Sequence, residues 1–192
     1  MKIYRIINDP AFHTLAATEP EPLEPILSLD LEHLWEPWIS AFGRQGPELR
    51  AADPQTTRRG NFFKFHPGFL AYDTSVADAA EQIELLQDDM EYLPARLEGT
   101  SERLDIMNVM GCYNCFDHGR AGYTTDENGG ITAITRYAFH PTRIMDSTIF
   151  RIPETRFEEI YVLSGRGDAE FIEFYQENGF TGLIFEEIWS DG

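Results

Sequence analysis

The stretch Phe171-Ile172-Glu173-Phe174-Tyr175-Gln176-Glu177-Asn178-Gly179-Phe180-Thr181-Gly182-Leu183-Ile184-Phe185-Glu186-Glu187-Ile188-Trp189 reads as a helix, a glycine stop and an aromatic-rich strand. Gly179 fits the left-handed position that ends many helices, and a two-residue period places Leu183, Phe185 and Trp189 on one side of the strand. That side is expected to seal a core. Carboxylates are the only charged groups in the stretch, so it points to a scaffold and a binding role before it points to catalysis.

Upstream, short apolar runs bounded by turn residues predict further strands: Tyr92–Leu97, Leu104–Met110, Ile131–Phe139, Thr148–Ile152 and Glu158–Leu163. Pro94 suits an edge or a bulge. Between Asp73 and Met90, Val76, Ala79, Ala80, Ile83, Leu86 and Met90 recur at three- and four-residue spacing, which predicts a helix capped by Thr74 or Ser75. The opposite side of that helix carries Asp78, Glu81, Glu84 and Asp88 with no Lys or Arg among them. Like charges at this spacing cost a helix about 0.2–0.5 kcal/mol each, so the ridge serves either solubility or a positive partner.

Residues 2–7 predict an opening strand. From there to about residue 60, Pro20, Pro22, Pro25, Pro37, Pro47 and Pro54 interrupt any long element, and a helix over 30–42 is expected to kink or break at Pro37. Leu31, Leu34, Trp35, Trp38, Ile39 and Phe42 give this region enough apolar mass to dock. The sequence therefore predicts an α+β protein with a mixed, mostly antiparallel sheet and a few packed helices. Residues 1–70 form an irregular, Pro-rich region with an opening strand, docked on a core domain of residues 71–192.

With 192 residues, 42% of them hydrophobic and 13% aromatic, the chain is long enough to fold around its own core. No apolar run reaches bilayer length, so no membrane association is expected, and two cysteines suit a reducing cytoplasm. The net charge of −18 is unevenly spread. No Lys or Arg lies between Arg5 and Arg44, between Lys64 and Arg96, or after Arg166, and each gap holds seven Asp or Glu residues. Nucleic-acid phosphates repel such a chain, whereas a basic protein attracts it.

The densest polar constellation is Asn108, Cys112, Tyr113, Asn114, Cys115, Asp117, His118 and Arg120. Cys112 and Cys115 have the spacing of a redox couple or half a zinc site, and His118 adds a third ligand type. A fourth ligand would come from afar, from His66 or His140, and the βαβ setting of the redox motif is absent, so buried thiols packing beside a sheet are the simpler reading. Gly165-Arg166-Gly167 lacks the fingerprint of a nucleotide loop and suits a helix entry. No cofactor is expected.

Several blocks in order resemble a family of bacterial polymorphic-toxin immunity proteins, immunity family eleven, first described as a domain of unknown function. They are Asp88–Arg96, Ile106–Val109 with Cys112, Cys115 and Asp117, Ile149–Ile152, Ile160–Val162 and Gly179–Phe185, and the similarity spans about residues 74–192. The resemblance implies a cytoplasmic, non-catalytic protein that neutralises a cognate toxin by binding it, and it supplies no catalytic residues. Asp78, Glu81, Glu84, Asp88, Glu173, Glu177, Glu186 and Glu187 are the candidate contacts for a basic toxin surface. The alternatives are a thiol- or zinc-dependent enzyme built on Cys112, Cys115 and His118, and an oligomer-forming module using Trp35 and Trp38.

Overall fold

The computed structural model describes residues 1–29, 31–53, 55–56, 58–80, 90–144, 148–167 and 170–192. Two sheets organise the chain. One has four strands in the order β10 (Ile149–Phe150), β11 (Tyr161–Ser164), β1 (Lys2–Asn8) and β12 (Leu183–Ser190), and every neighbouring pair is antiparallel. The other has six, in the order β2 (Leu15–Ala17), β3 (Glu48–Ala51), β6 (Met90–Leu97), β7 (Arg103–Val109), β5 (Phe69–Asp73) and β4 (Phe62–His66). Only β3 and β6 run parallel in it. A separate hairpin joins β8 (Gly122–Thr125) to β9 (Ile131–Arg136). With helices α1 (Glu24–Leu27), α2 (Trp35–Phe42), α3 (Thr74–Ala80) and α4 (Phe171–Glu177), this is a mixed, mostly antiparallel α+β architecture. No helix among the described residues is long and apolar enough to cross a membrane.

Three cores follow from the alternation of side chains across the strands. The central one lies between the sheets: Phe62, Leu70, Met107 and Val109 meet Val162 and Leu183, with α3 and α4 supplying Val76, Phe171 and Tyr175. The outer face of the six-stranded sheet packs Phe69, Ala71, Leu93 and Ile106 under Ile26, Leu27, Leu34 and Trp38 of the layer holding α1 and α2. The outer face of the four-stranded sheet packs Ile3, Tyr161 and Leu163 under Phe116 and Phe139 of the hairpin layer. All of Leu104–Val109 is buried, as expected of a strand covered on both faces.

The division at residue 70 does not follow the sheets. Residues 1–70 supply β1, which lies between β11 and β12, as well as β2, β3 and β4, and the boundary itself falls inside β5. Pro37 leaves α2 intact because it sits in the first turn, where a missing backbone N–H breaks no intrahelical bond. α3 is capped by Asp73, whose Oδ1 accepts the Ser75 N–H at 3.0 Å. Beyond Ala80, the rest of the expected helix lies outside the described residues.

The closing unit forms as read, with one difference. Gly179 (φ 65°) ends α4 in a Schellman motif, its N–H bonding Gln176 O and that of Phe180 bonding Tyr175 O, both at 3.1 Å. Leu183 and Phe185 then face the central core, but Trp189 faces the opposite one. The cause is a bulge: Ile3 pairs with Trp189 and the next residue, Tyr4, with Glu187, so Ile188 is extra and the side-chain parity inverts. The turn before β12 also joins the sheets. Thr181 O accepts both Asn61 and Phe62 N–H at 3.0 Å, and at Gly182 (φ 110°) a Cβ would stand 2.0 Å from Phe62 O.

One buried polar chain crosses the layers. The Arg151 side chain is 1% exposed; its Nη2 donates to Asn108 Oδ1 at 2.5 Å and its Nε to Val109 O at 2.5 Å. Asn108 Nδ2 donates in turn to Glu91 Oε2 at 3.1 Å. Glu91 accepts the backbone N–H groups of Leu34 and Trp35 at 2.8 and 3.0 Å, capping α2 from a neighbouring strand. Asn108→Leu, which takes one hydrogen-bond partner each from the buried guanidinium and the carboxylate, is expected to cost about 3 kcal/mol in urea unfolding.

At the start of α4, Glu170 is buried and its Oε1 accepts the N–H groups of Arg166 (2.5 Å) and Gly167 (3.2 Å). Burial pushes its pKa up, but these backbone donors more than offset that and hold it below the ordinary carboxylate value of 4.5. A depressed folded-state pKa contributes stability above the unfolded value and loses it as pH falls through the folded one. Thermal unfolding followed from pH 6 downward is therefore expected to show a smaller acid loss in Glu170→Gln than in the parent.

Candidate partner-binding surface

The structure separates the expected contact residues into distinct groups. Asp78 is exposed on α3, whereas Glu81, Glu84 and Asp88 lie outside the described residues. α4 buries Phe171, Ile172, Phe174 and Tyr175, so its period turns Glu173 and Glu177 to solvent. Glu186 and Glu187 differ from these. Arg5 Nη2 lies 2.6 Å from Glu186 and Lys2 Nζ 2.7 Å from Glu187, so the neighbouring strand β1 already neutralises both. Half-exposed pairs of this kind add little stability, but they remove two carboxylates from the field offered to a partner.

A larger acidic surface lies in the layer above the six-stranded sheet. Glu19, Glu21, Glu24, Glu32 and Glu36 are all exposed there, because α1 and α2 turn Ile26, Leu27 and Trp38 inward. Glu24 and Glu36 occupy first helical turns, where the helix dipole favours negative charge, which accounts for their placement but not for the other three. Two apolar side chains stand among them, Leu29 at 43% and Trp35 at 50% exposure. Trp38 is not available for an oligomer contact: it is fully buried and its Nε1 donates to Pro94 O at 2.9 Å. The signal for this face was the acidic gap between Arg5 and Arg44; its direction depends on which side of two short helices is buried.

The cysteine corner sits on the hairpin side of the four-stranded sheet. Cys112 forms a bridge with Arg151, and Cys115 is wholly buried beside Phe116 and Phe139. Burial, reinforced by the negative charge of Glu154, pushes the Cys115 thiol up to about 12, and burial raises Cys112 as well. Neither has the depressed pKa that activates a nucleophile. His118 Nε2 is engaged by Glu154 Oε1 at 3.0 Å, while Asp117 accepts the Gly119 and Arg120 N–H groups at 3.0 and 3.2 Å. Among the described residues, no three His, Cys, Asp or Glu side chains converge as a metal ion requires.

Another carboxylate on this side is held by three donors. Glu159 receives Arg5 Nη1 at 2.9 Å, Tyr137 OH at 2.9 Å and Tyr161 OH at 2.5 Å. The arrangement ties β1 to β11 and to the chain after β9, and burial followed by the Glu159 charge raises the Tyr161 pKa. Its donors already occupy the carboxylate, so the cluster is a structural brace.

No protein-family model and no curated protein sequence matches the chain. The reading of the surface therefore rests on its own chemistry. Cys115 is expected to resist a thiol-specific disulfide reagent in the folded protein and to react fully in denaturant; rapid reaction under native conditions at pH 8 would contradict the buried, high-pKa environment.

Proposed function

We propose that this chain is a non-catalytic immunity protein that neutralises a cognate toxin in the cytoplasm by docking an acidic surface on a basic one. The observation that carries the reading is the outer layer: five exposed glutamates from Glu19 to Glu36 in a stretch without a Lys or Arg between Arg5 and Arg44. Exposed Glu173 and Glu177 on α4 and Asp78 on α3 add negative charge elsewhere on the surface. The resemblance of residues 74–192 to immunity family eleven supports the same reading, and the inactive environment of Cys115 favours it over thiol chemistry.

Trp35 and Leu29 supply what charge alone does not. Electrostatic steering raises association rates by about 10–1,000-fold, but lasting contact needs a desolvated apolar anchor inside a polar rim. Trp35, half exposed and lying in sequence between exposed Glu32 and Glu36, has that character.

The test uses a secreted toxin sought among the products of the neighbouring genes. Its association rate with the protein is expected to fall about tenfold or more between low and physiological salt. The variant Glu19→Lys/Glu21→Lys/Glu32→Lys is expected to slow association by a similar factor while keeping its unfolding midpoint, since all three side chains are exposed and lie outside the helices. An association rate indifferent to salt and to these substitutions would overturn the electrostatic reading.

A further inference from the structure

The inner face of the six-stranded sheet is only partly covered. α3, α4 and the four-stranded sheet close over Tyr72 and Met107, but beyond them the face opens at Tyr92, Arg103 and Asp105. Two cavities of about 870 and 380 Å³ share these three residues and so form one trough. The larger one, walled on its far side by Trp35, falls within the range of roughly 300–1,000 Å³ typical of small-molecule sites.

Its electrostatics run against the rest of the molecule. Arg96 of β6 and Arg103 of β7 stand directly opposite each other in register, a cross-strand arrangement that like charges disfavour. Arg44 joins them in lining the trough. Counting the groups that pair with this lining, four guanidinium ions, of Arg44, Arg59, Arg96 and Arg103, meet three carboxylates, of Glu48, Glu102 and Asp105. Among the described residues this group carries one more guanidinium than carboxylates, on a chain of net charge −18.

Among the described residues, the carboxylates leave donors free. Asp105 is 4% exposed and takes Arg103 Nη2 at 2.9 Å, leaving the other guanidinium edge of an otherwise exposed side chain toward solvent. Arg96 gives Nε to Glu48 at 3.1 Å and Nη1 to Gln45 at 2.9 Å, so its Nη2 remains. Planar guanidinium forks suit carboxylate and phosphate oxygens, and the half-exposed indole of Trp35 suits a flat ring.

We propose that this trough binds a small planar ring carrying a phosphate or carboxylate, with the anionic group between Arg96 and Arg103 and the ring against Trp35. This site shares Trp35 with the glutamate layer but takes its charge recognition from Arg44, Arg96 and Arg103, and it does not depend on the identity of a protein partner.

The probes are adenosine 5′-monophosphate and 2-naphthoate, titrated into the intact protein by calorimetry and by following the Trp35 indole N–H resonance. Adenosine and inorganic phosphate serve as the ring-only and anion-only arms. Saturable binding of at least one probe at about 10–100 µM is expected, with about tenfold weaker binding in Arg96→Gln/Arg103→Gln. Arg44→Glu, an exposed position outside the sheet, is expected to weaken binding about fivefold or more without altering the unfolding midpoint, which separates lost recognition from lost folding. The ring-only and anion-only fragments should each bind about tenfold more weakly than the joined probe. Failure of both probes to saturate by about 5 mM, or equal affinity in the parent and Arg44→Glu, overturns the proposal.

Discussion

The structure depends on how one buried cation is satisfied. Arg151 reaches from the edge of the four-stranded sheet to Asn108 in the six-stranded one, and Asn108 passes the contact to Glu91. An unpaired charge at that depth would cost several kcal/mol, so the position of the two sheets is tied to the survival of these bonds. Apolar contacts between the sheets are non-directional and tolerate sliding. A guanidinium fork, an amide and a carboxylate do not, and they set which strand edge lies against which.

Strand identity was legible wherever one face repeats apolar residues at a two-residue period. β1, β6, β7 and β12 lie within a residue or two of their expected ranges, and the Schellman end of α4 follows from Gly179. The strands β2, β3 and β4 were not legible, because they are three to five residues long and lie among prolines and loops. Their pairing, including the two-residue parallel contact of β3 with β6, is decided by partners distant in sequence. Trp189 shows the same limit in miniature: alternation places it with Leu183 and Phe185, and a single extra residue in the ladder sends it to the other face.

The candidate site was legible in its chemistry and not in its address. The three cation-free stretches can be counted directly, yet which acids act as a surface depends on what β1 does with its own cations. Lys2 and Arg5 sit opposite the end of the chain, and that long-range pairing removes Glu186 and Glu187 from the exposed field. Arg151 was visible only as a charged residue inside an apolar strand. Nothing local reveals that it would be among the most buried side chains in the molecule. The corner of Cys112, Cys115 and His118 had ligand-like spacing, but burial of the thiol beside aromatic rings decides its character.

The cap that Glu91 places on α2 reaches beyond local helix energetics. The backbone carrying Trp35 is fastened to a strand of the sheet, and through Asn108 to Arg151, so the exposed indole rests on a rigid frame reaching into the interior. The backbone beneath the indole is thereby fixed before any contact is made. The entropic cost of ordering it is met when the chain folds and need not be met again at encounter.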